Sequence, residues 1–371
     1  MISRHSRDRR TTPPPDAADD IACSADAAPG RDKARHRRKP VRRILLFVVI
    51  TLLGAVGLGT VGLLMLADSI AYQVHRTPNV FAGINEAERP PTADAMAFLL
   101  IGTDSRDPEQ GITEPPAVTF PPGSQRSDVI MLVQINKERS AATVVSLPRD
   151  SWVTVPVYGK VEINAGYSFG GPTLLVRTVE ALTNIRVDHF GVIDFAGFQS
   201  LIDIVGGIDV TVDKPTTAGA VTFQAGTNHL NGQQALAYAR QRHGLPRGEL
   251  DWVQRHQNTL RALVTKIASI DTFSHPVDSY RLLDTLSHWV SVDDTLSNNA
   301  LRSLVFGMRN LRPAQVTFLT APVAGLGREG VQSVVYLDFD RASELWHCLA
   351  ADDVGAFAQD YPDSTLGISG S

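Results

Sequence analysis

The longest apolar stretch in the chain is Ile44–Ala67, 24 residues without a charge and apolar on every helical face. As a helix it is about 36 Å long, enough to cross a hydrocarbon core of roughly 30 Å, so the pattern predicts one transmembrane helix. Beyond it the apolar runs are short and bounded by turn residues. Met96–Gly102, Asp128–Asn136 and Ala142–Leu147 read as strands, the last stopped by Pro148. Pro172–Asn184 has apolar residues at helical spacing, Val187–Ile193 is strand-like, Phe195–Val205 helical and Ile208–Val212 strand-like. Helical patterns follow at Gln233–Ala239, Glu249–Ile270, 278–289 and 295–309. Strands are then expected at Val316–Thr320 and Ser333–Leu337, and a helix at 340–350. Strands alternating with helices predict an α/β fold, a mixed central β-sheet flanked by helices, behind the N-terminal transmembrane helix.

Five segments result: a disordered tail at 1–43, the span at 44–67, a connector at 68–95, a folded domain at 96–350 and a frayed tail at 351–371. The first 43 residues are polar, with Pro13–Pro15 in a row, and cannot repay their ordering entropy by burial. They carry 12 Lys/Arg against 6 Asp/Glu, whereas the rest of the chain has a balance of −10. Basic residues directly before the span place the N-terminus in the cytoplasm and the folded domain outside, as a single-pass protein of the cell membrane. A cleaved signal peptide fits less well, because the polar lead and the apolar core are both too long. The acidic body argues against a nucleic-acid partner. Two cysteines, Cys23 and Cys348, exclude a disulfide scaffold.

Charged residues fall just beyond strand ends or beside breakers: Asp104, Arg106 and Asp107, then Arg126 and Asp128, then Arg149 and Asp150, then Arg240 and Arg242 before Gly244 and Pro246. Ligands of open α/β sheets sit beyond strand ends. Converging guanidinium groups suit a multiply charged phosphate. Carboxylates in the same place call for a hard cation such as Mg²⁺ or Mn²⁺ between them and the phosphate. The pattern therefore predicts a metal–phosphate or metal–pyrophosphate site. Other chemistries fail. The chain lacks a phosphate loop, a zinc-protease motif and a dinucleotide fingerprint. Gly166-Tyr167-Ser168-Phe169-Gly170 matches a nucleophile elbow in letters only, since no apolar strand leads into it.

Seven stretches in order, LLIGTDSRD (99–107), RSDVIMLV (126–133), SLPRD (146–150), INAGYSFGG (163–171), VGGIDV (205–210), LAYARQR (236–242) and RHQ (255–257), resemble the LytR-CpsA-Psr family of cell-wall glycopolymer transferases. The Ala- and Arg-rich composition resembles its actinobacterial branch. The resemblance implies transfer of a glycopolymer, arabinogalactan or a related polymer, from a polyprenyl-pyrophosphate carrier to a peptidoglycan sugar hydroxyl through a phosphodiester. It also implies an apolar tunnel for the polyprenyl tail. By position, Asp104 and Asp128 would hold Mg²⁺, with Mn²⁺ as an alternative. Arg126, Arg149, Arg240 and Arg242 would grip the pyrophosphate and stabilise the reacting phosphoryl group, and Arg255 and Gln257 would close the head-group site. Either Asp107 or Asp150 would orient or deprotonate the incoming hydroxyl. Three positions depart from the family pattern: Glu162 for Lys, Trp252 for Arg, and His256 for Gln. Hydrolysis of the lipid pyrophosphate and non-catalytic binding of the lipid-linked glycan are the alternative activities. The oligomeric state is open.

Overall fold

Alternation with a period of two builds the centre of the structure. The computed structural model describes residues 74–103, 127–241, 244–245, 247–269, 284, 287–308 and 311–366. Its strands and helices, in chain order, are β1 (His75–Thr77), β2 (Met96–Thr103), β3 (Ser127–Ile135), β4 (Ala142–Leu147), β5 (Trp152–Val155), β6 (Gly159–Glu162), α1 (Ile163–Thr183), β7 (His189–Asp194), α2 (Phe195–Ile204), β8 (Ile208–Val212), β9 (Thr216–Ala218), β10 (Val221–Phe223), β11 (Gly226–Leu230), α3 (Gly232–Arg240), α4 (Glu249–Ser269), β12 (Val290–Asp293), α5 (Asn298–Gly307), β13 (Val316–Thr320), β14 (Val323–Glu329), β15 (Gln332–Leu337), α6 (Phe339–Ala350) and α7 (Val354–Asp360).

Seven strands form a mixed sheet in the order β1-β12-β7-β2-β3-β4-β13. Leu99 and Ile101 of β2, Ile130 and Leu132 of β3, and Val145 and Leu147 of β4 face one side, packed with Leu175 and Val179 of α1 and Leu345 and Leu349 of α6. Their neighbours in sequence face the other side. There Phe98, Ile135 and Ala142 pack with Leu304 of α5, and Met131 and Val144 pack with Phe318 of β13 and Leu260 of α4. Both faces are thus covered, as the near-continuous apolar runs require. A third cluster joins α2, α3 and α4 to β8 and β11 through Ile202, Ile208, Leu230, Tyr238 and Leu263.

The mixed sheet read from the sequence is present, but the transmembrane helix read with it is corrected. Among the described residues no helix is long and apolar enough to cross a membrane. The run Ile44–Ala67 itself lies outside the described residues, as does the tail at 1–43. The two longest described helices have 21 residues each, yet α1 is interrupted at Gly170–Gly171 and α4 carries Glu249, Asp251, Arg255 and Lys266. The signal-anchor assignment, the cytoplasmic N-terminus and the single-pass location rested on that helix and are dropped with it.

Smaller differences have local causes. α1 begins at Ile163, nine positions before the expected start at Pro172, because Gly171 takes φ 63° and lets two helical pieces join at a kink. Its C-terminus is capped by Asn184 in the left-handed region, whose N–H donates to the Glu180 carbonyl. The expected connector contributes β1, which pairs in parallel with β12. The same segment is clamped further along. Arg89 forms a buried ion pair with Glu180 at 2.7 Å and donates to the Val187 carbonyl, with its guanidinium over the Phe81 ring. At the other end, α7 buries Phe357 in the core beneath α6.

Asp293, at the end of β12, shows how a fully buried carboxylate is kept charged. It accepts hydrogen bonds from the backbone N–H groups of Phe190, Thr295 and Leu296 at 3.0–3.1 Å and from the Thr295 hydroxyl. His189 Nδ1 lies 3.1 Å away. Burial pushes this carboxyl up, but the bonds from His189, Thr295 and Phe190 outweigh it and hold the group below the ordinary carboxylate range. A depressed carboxyl stabilises the fold above the unfolded-state value, about pH 4, and loses that contribution as pH falls through its own lower value. Asp293→Asn is therefore expected to cost about 2–3 kcal/mol in urea denaturation at pH 7, with the gap to wild type narrowing below about pH 4. A gap equal at pH 3 and pH 7 would contradict this account.

Candidate active site at the carboxyl rim of the sheet

Strand direction decides which side chains meet. β2 runs antiparallel to β3 and parallel to β7, β3 runs antiparallel to β4, and β4 runs parallel to β13. β2, β4, β7 and β13 thus end at one rim, and β3 begins there. Asp128, Arg149 and the Asp194–Phe195 junction all fall on it.

The turn after β4 is held by four backbone hydrogen bonds and one from a hydroxyl. Ser151 N–H donates to the Pro148 carbonyl at 3.0 Å, and the Ser151 hydroxyl donates to the same oxygen at 2.6 Å. The carbonyls of Arg149, Asp150 and Ser151 accept from Asn164, Val335 and Ile163 at 2.8–3.2 Å. Pro148 ends the strand, so the two residues after it project from a rigid turn.

Arg149 is the centre of the cluster. Its Nη1 donates to Asp128 Oδ1, and its Nε lies 3.2 Å from Asp150 Oδ1. The guanidinium sits 5.2 Å from the Trp252 ring centroid. Asp150 Oδ1 also accepts from Asn164 Nδ2 at 3.3 Å. Arg149, Asp128 and Asp150 are 13%, 21% and 17% exposed, so the cation is largely shielded yet open to a ligand at the rim. A guanidinium held between two carboxylates is locally over-compensated, and a cation drawing Asp128 away would leave it to bind an anion.

A second group gathers around α3 and α4. Arg240, exposed at the end of α3, lies over the Phe195 ring with 4.9 Å to its centroid. Phe195 is itself against Gly102, where a Cβ would stand 3.4 Å from its Cε1, so Arg240 reaches the same rim. α3 is started by a capping box of Asn231 and Gln234. Arg255 is buried over the Tyr238 ring and donates to Gln241 Oε1 at 2.5 Å, with Thr216 Oγ1 at 3.3 Å. Burial lowers its pKa, opposed by Tyr238 and Asp251. Gln257 is fully buried, and its Nε2 contacts Ser146 Oγ, the Leu319 carbonyl and Thr320 Oγ1 at 2.6–3.1 Å. Both residues thus tie α4 to its neighbours by contacts within the protein.

Of the residues singled out in the sequence, the structure brings together Asp128, Arg149 and Asp150, and it sets Arg240 on the same rim. Asp104, Arg106, Asp107, Arg126 and Arg242 lie outside the described residues. Among the described residues no group of three or more His, Cys, Asp or Glu could hold a metal. Ser168 lies within α1, not on a strand-to-helix turn, which agrees with rejecting a nucleophile elbow. Sequence reasoning missed the supporting part of Trp252, noted only as a lost arginine. It is 4% exposed, carries Arg149 on its ring and meets the His256 ring edge-on at 4.3 Å. The spacing of 252 and 256, one helical turn apart on α4, shows their pairing with each other but not the contact with Arg149, which lies on another element.

Residues 70–350 match the LytR_cpsA_psr family. A cell wall biosynthesis protein, LcpA, of Corynebacterium glutamicum is 32% identical over 284 residues, 67% of this chain and 54% of that protein. A polyisoprenyl-teichoic acid–peptidoglycan teichoic acid transferase, TagU, of Bacillus mycoides is 30% identical over 234 residues, 58% of this chain and 72% of TagU. The chain thus spans about half the length of the first of these relatives. Among solved structures, Bacillus subtilis TagV is similar with a TM-score of 0.56 and 23% identity, covering 71% of this chain and 99% of TagV. TagT bound to LIIa-WTA is similar with the same score and identity, covering 71% and 96%. At that identity the structures show a shared fold.

Proposed function

The chain belongs to the LytR-CpsA-Psr family, and from that premise we propose that it joins a glycopolymer, carried on a polyprenyl pyrophosphate, to a peptidoglycan sugar hydroxyl through a phosphodiester. The observation that carries the reading is Arg149, held between Asp128 and Asp150 and over Trp252 on the carboxyl rim. In this reading the acceptor oxygen bonds to the glycan-side phosphorus. The bond from that phosphorus to the bridging oxygen breaks, and polyprenyl phosphate leaves with the electron pair. The hydroxyl proton passes to a carboxylate. Arg149 and Arg240, with Arg126 and Arg242 by sequence position, stabilise the charge that grows on the phosphoryl oxygens.

Asp104 and Asp128 would hold Mg²⁺ or Mn²⁺, which when bound would neutralise phosphate charge. The donor set suits such an ion: a partly exposed carboxylate whose present partner is a cation, with few protein ligands, as Mg²⁺ bound to phosphates prefers. Support for a lipid-borne donor comes from a band of half-buried apolar side chains, Leu100, Val133, Leu260 and Val316, on the sheet face toward α4. The composition and the similarity to a Corynebacterium cell wall biosynthesis protein favour a polymer of the actinobacterial type, such as arabinogalactan, while the similarity to Bacillus teichoic acid transferases favours a teichoic acid. The departure at Trp252 does not argue for a non-catalytic binding protein, because the ring supports Arg149. Hydrolysis with water as acceptor is separated by its product, free glycan phosphate.

The test uses the full chain with a short polyprenyl-pyrophosphate glycan and a peptidoglycan acceptor, followed by mass spectrometry. Linked glycan is expected with Mg²⁺, with at least a hundredfold loss in EDTA (about 3 kcal/mol of charge stabilisation) that Mg²⁺ or Mn²⁺ reverses. Full transfer in EDTA would remove the metal from the account.

A further inference from the structure

A cavity of about 520 Å³ lies beside Asp150, lined by the hairpin β14–β15 and the start of α4. We propose that this cavity is the acceptor subsite, and that it binds an uncharged, hydroxyl-rich amino-sugar unit and presents its hydroxyl to Asp150. The proposal rests on the transfer reading above and deepens it.

Three observations converge. The first is the lining. Asp150 and Glu249 supply carboxylate acceptors, Arg328 and Ser333 supply donors, and Leu326 with the backbone of Gly327 supplies an apolar surface. That mixture suits sugar hydroxyls against a C–H face. Two carboxylates against one guanidinium repel a pyrophosphate, so the cavity favours the neutral partner and leaves the donor to the arginines of the rim. Its volume is that of an ordinary ligand cleft, roughly 300–1,000 Å³.

The second observation is registration. Val335 N–H donates to the Asp150 carbonyl at 2.9 Å, and Ser151 bridges Val335 in parallel, so the hairpin is bonded to the turn that carries the carboxylate. It is also stiff. Gly330 at φ 61° takes the first central position of its two-residue turn, as a type II′ hairpin needs. The Tyr336 ring packs so closely beneath Gly327 that a Cβ there would meet it at 2.3 Å, and the Tyr336 hydroxyl donates to Glu329. Leu326 remains 53% exposed beside the opening, an apolar side chain that the fold itself does not use.

The third is that Asp150 belongs to both places. Its Oδ1 is 3.2 Å from Arg149 Nε, and the residue lines the cavity wall. A hydroxyl in the cavity thus gives its proton to the Asp150 carboxylate while its oxygen bonds to the phosphorus held at Arg149. The lipid phosphate leaves with the electrons of the broken P–O bond. This assigns to Asp150 the role that the sequence left open between Asp107 and Asp150.

Ser333 is exposed on the cavity wall, so Ser333→Trp fills the cleft without entering the core. Val331→Trp, at the 94% exposed hairpin tip outside the lining, is the control. With the full chain, Ser333→Trp is expected to raise the acceptor KM at least tenfold and leave the donor Kd within twofold, while Val331→Trp changes neither. In parallel, ligand-observed NMR measures binding of the uncharged disaccharide N,N′-diacetylchitobiose to wild type and Ser333→Trp, with donor analogue present. Weaker binding to Ser333→Trp, with an unchanged melting temperature, is the expected result. Transfer by wild type with an unaltered acceptor KM in Ser333→Trp overturns the subsite and leaves the transfer reading standing. If wild type transfers nothing, that reading fails, and equal disaccharide binding by the two proteins then overturns the subsite separately.

Discussion

Arg149→Ala is expected to lower transfer about a thousandfold, near 4 kcal/mol, the scale of removing one preorganised donor from a developing oxyanion. The structure makes this side chain hard to replace. Its guanidinium spans two carboxylates, Asp128 and Asp150, and lies 5.2 Å from the Trp252 ring centroid, within cation–π range. An ammonium is a point charge and cannot span both carboxylates while stacking. Arg149→Lys is therefore expected to recover no more than about a tenth of wild-type turnover. Arg149→Ala also leaves two half-shielded carboxylates facing each other, so a modest fall in melting temperature accompanies the loss. Donor binding measured separately keeps the two effects apart. A loss in turnover below tenfold in a folded Arg149→Ala protein would remove Arg149 from the reacting centre.

Asp150→Asn is expected to cost turnover about a hundred- to ten-thousandfold, the range for losing a positioned proton acceptor, with donor affinity retained. The amide keeps the shape and can still accept from Asn164 Nδ2, now 3.3 Å from Asp150 Oδ1. The backbone of the turn is held by Pro148, Asn164 and Val335 and does not depend on the carboxylate. Stability should change little. Kinetics with saturating donor and varied acceptor check this, with the loss falling on kcat. An Asp150→Asn protein with wild-type kcat would return the role to Asp107.

The sheet was legible because its strands obey one rule. β2, β3 and β4 carry apolar residues on both faces over six to nine positions, and Pro148 marks the end of β4. Arg149 and Asp150 were legible for the same reason, as charges directly after such a strand. What escaped had no periodic signal. β5 and β6 have four residues each, and β14, VAGLGRE, holds two glycines and has no buried residue. The start of α1 was hidden by Gly170–Gly171–Pro172, which reads as a break and is a kink. The Arg89–Glu180 clamp joins residues 91 positions apart, beyond any local pattern. Trp252 was visible as a residue but not as a support, because its partner Arg149 is on another element. The membrane helix was read from the length of one uncharged run and its basic flank; that run lies outside the described residues, and no described helix is long and apolar enough to cross a membrane.

The central claim is attack at phosphorus, and ³¹P NMR of the purified product tests it most directly. The full chain is incubated with Mg²⁺, a polyprenyl-pyrophosphate glycan and a peptidoglycan acceptor. The account predicts one phosphodiester resonance on the glycan-bearing peptidoglycan and an equal amount of polyprenyl monophosphate. Peptidoglycan carrying glycan but no phosphorus, with polyprenyl pyrophosphate released, would mean attack at the sugar carbon and would contradict it.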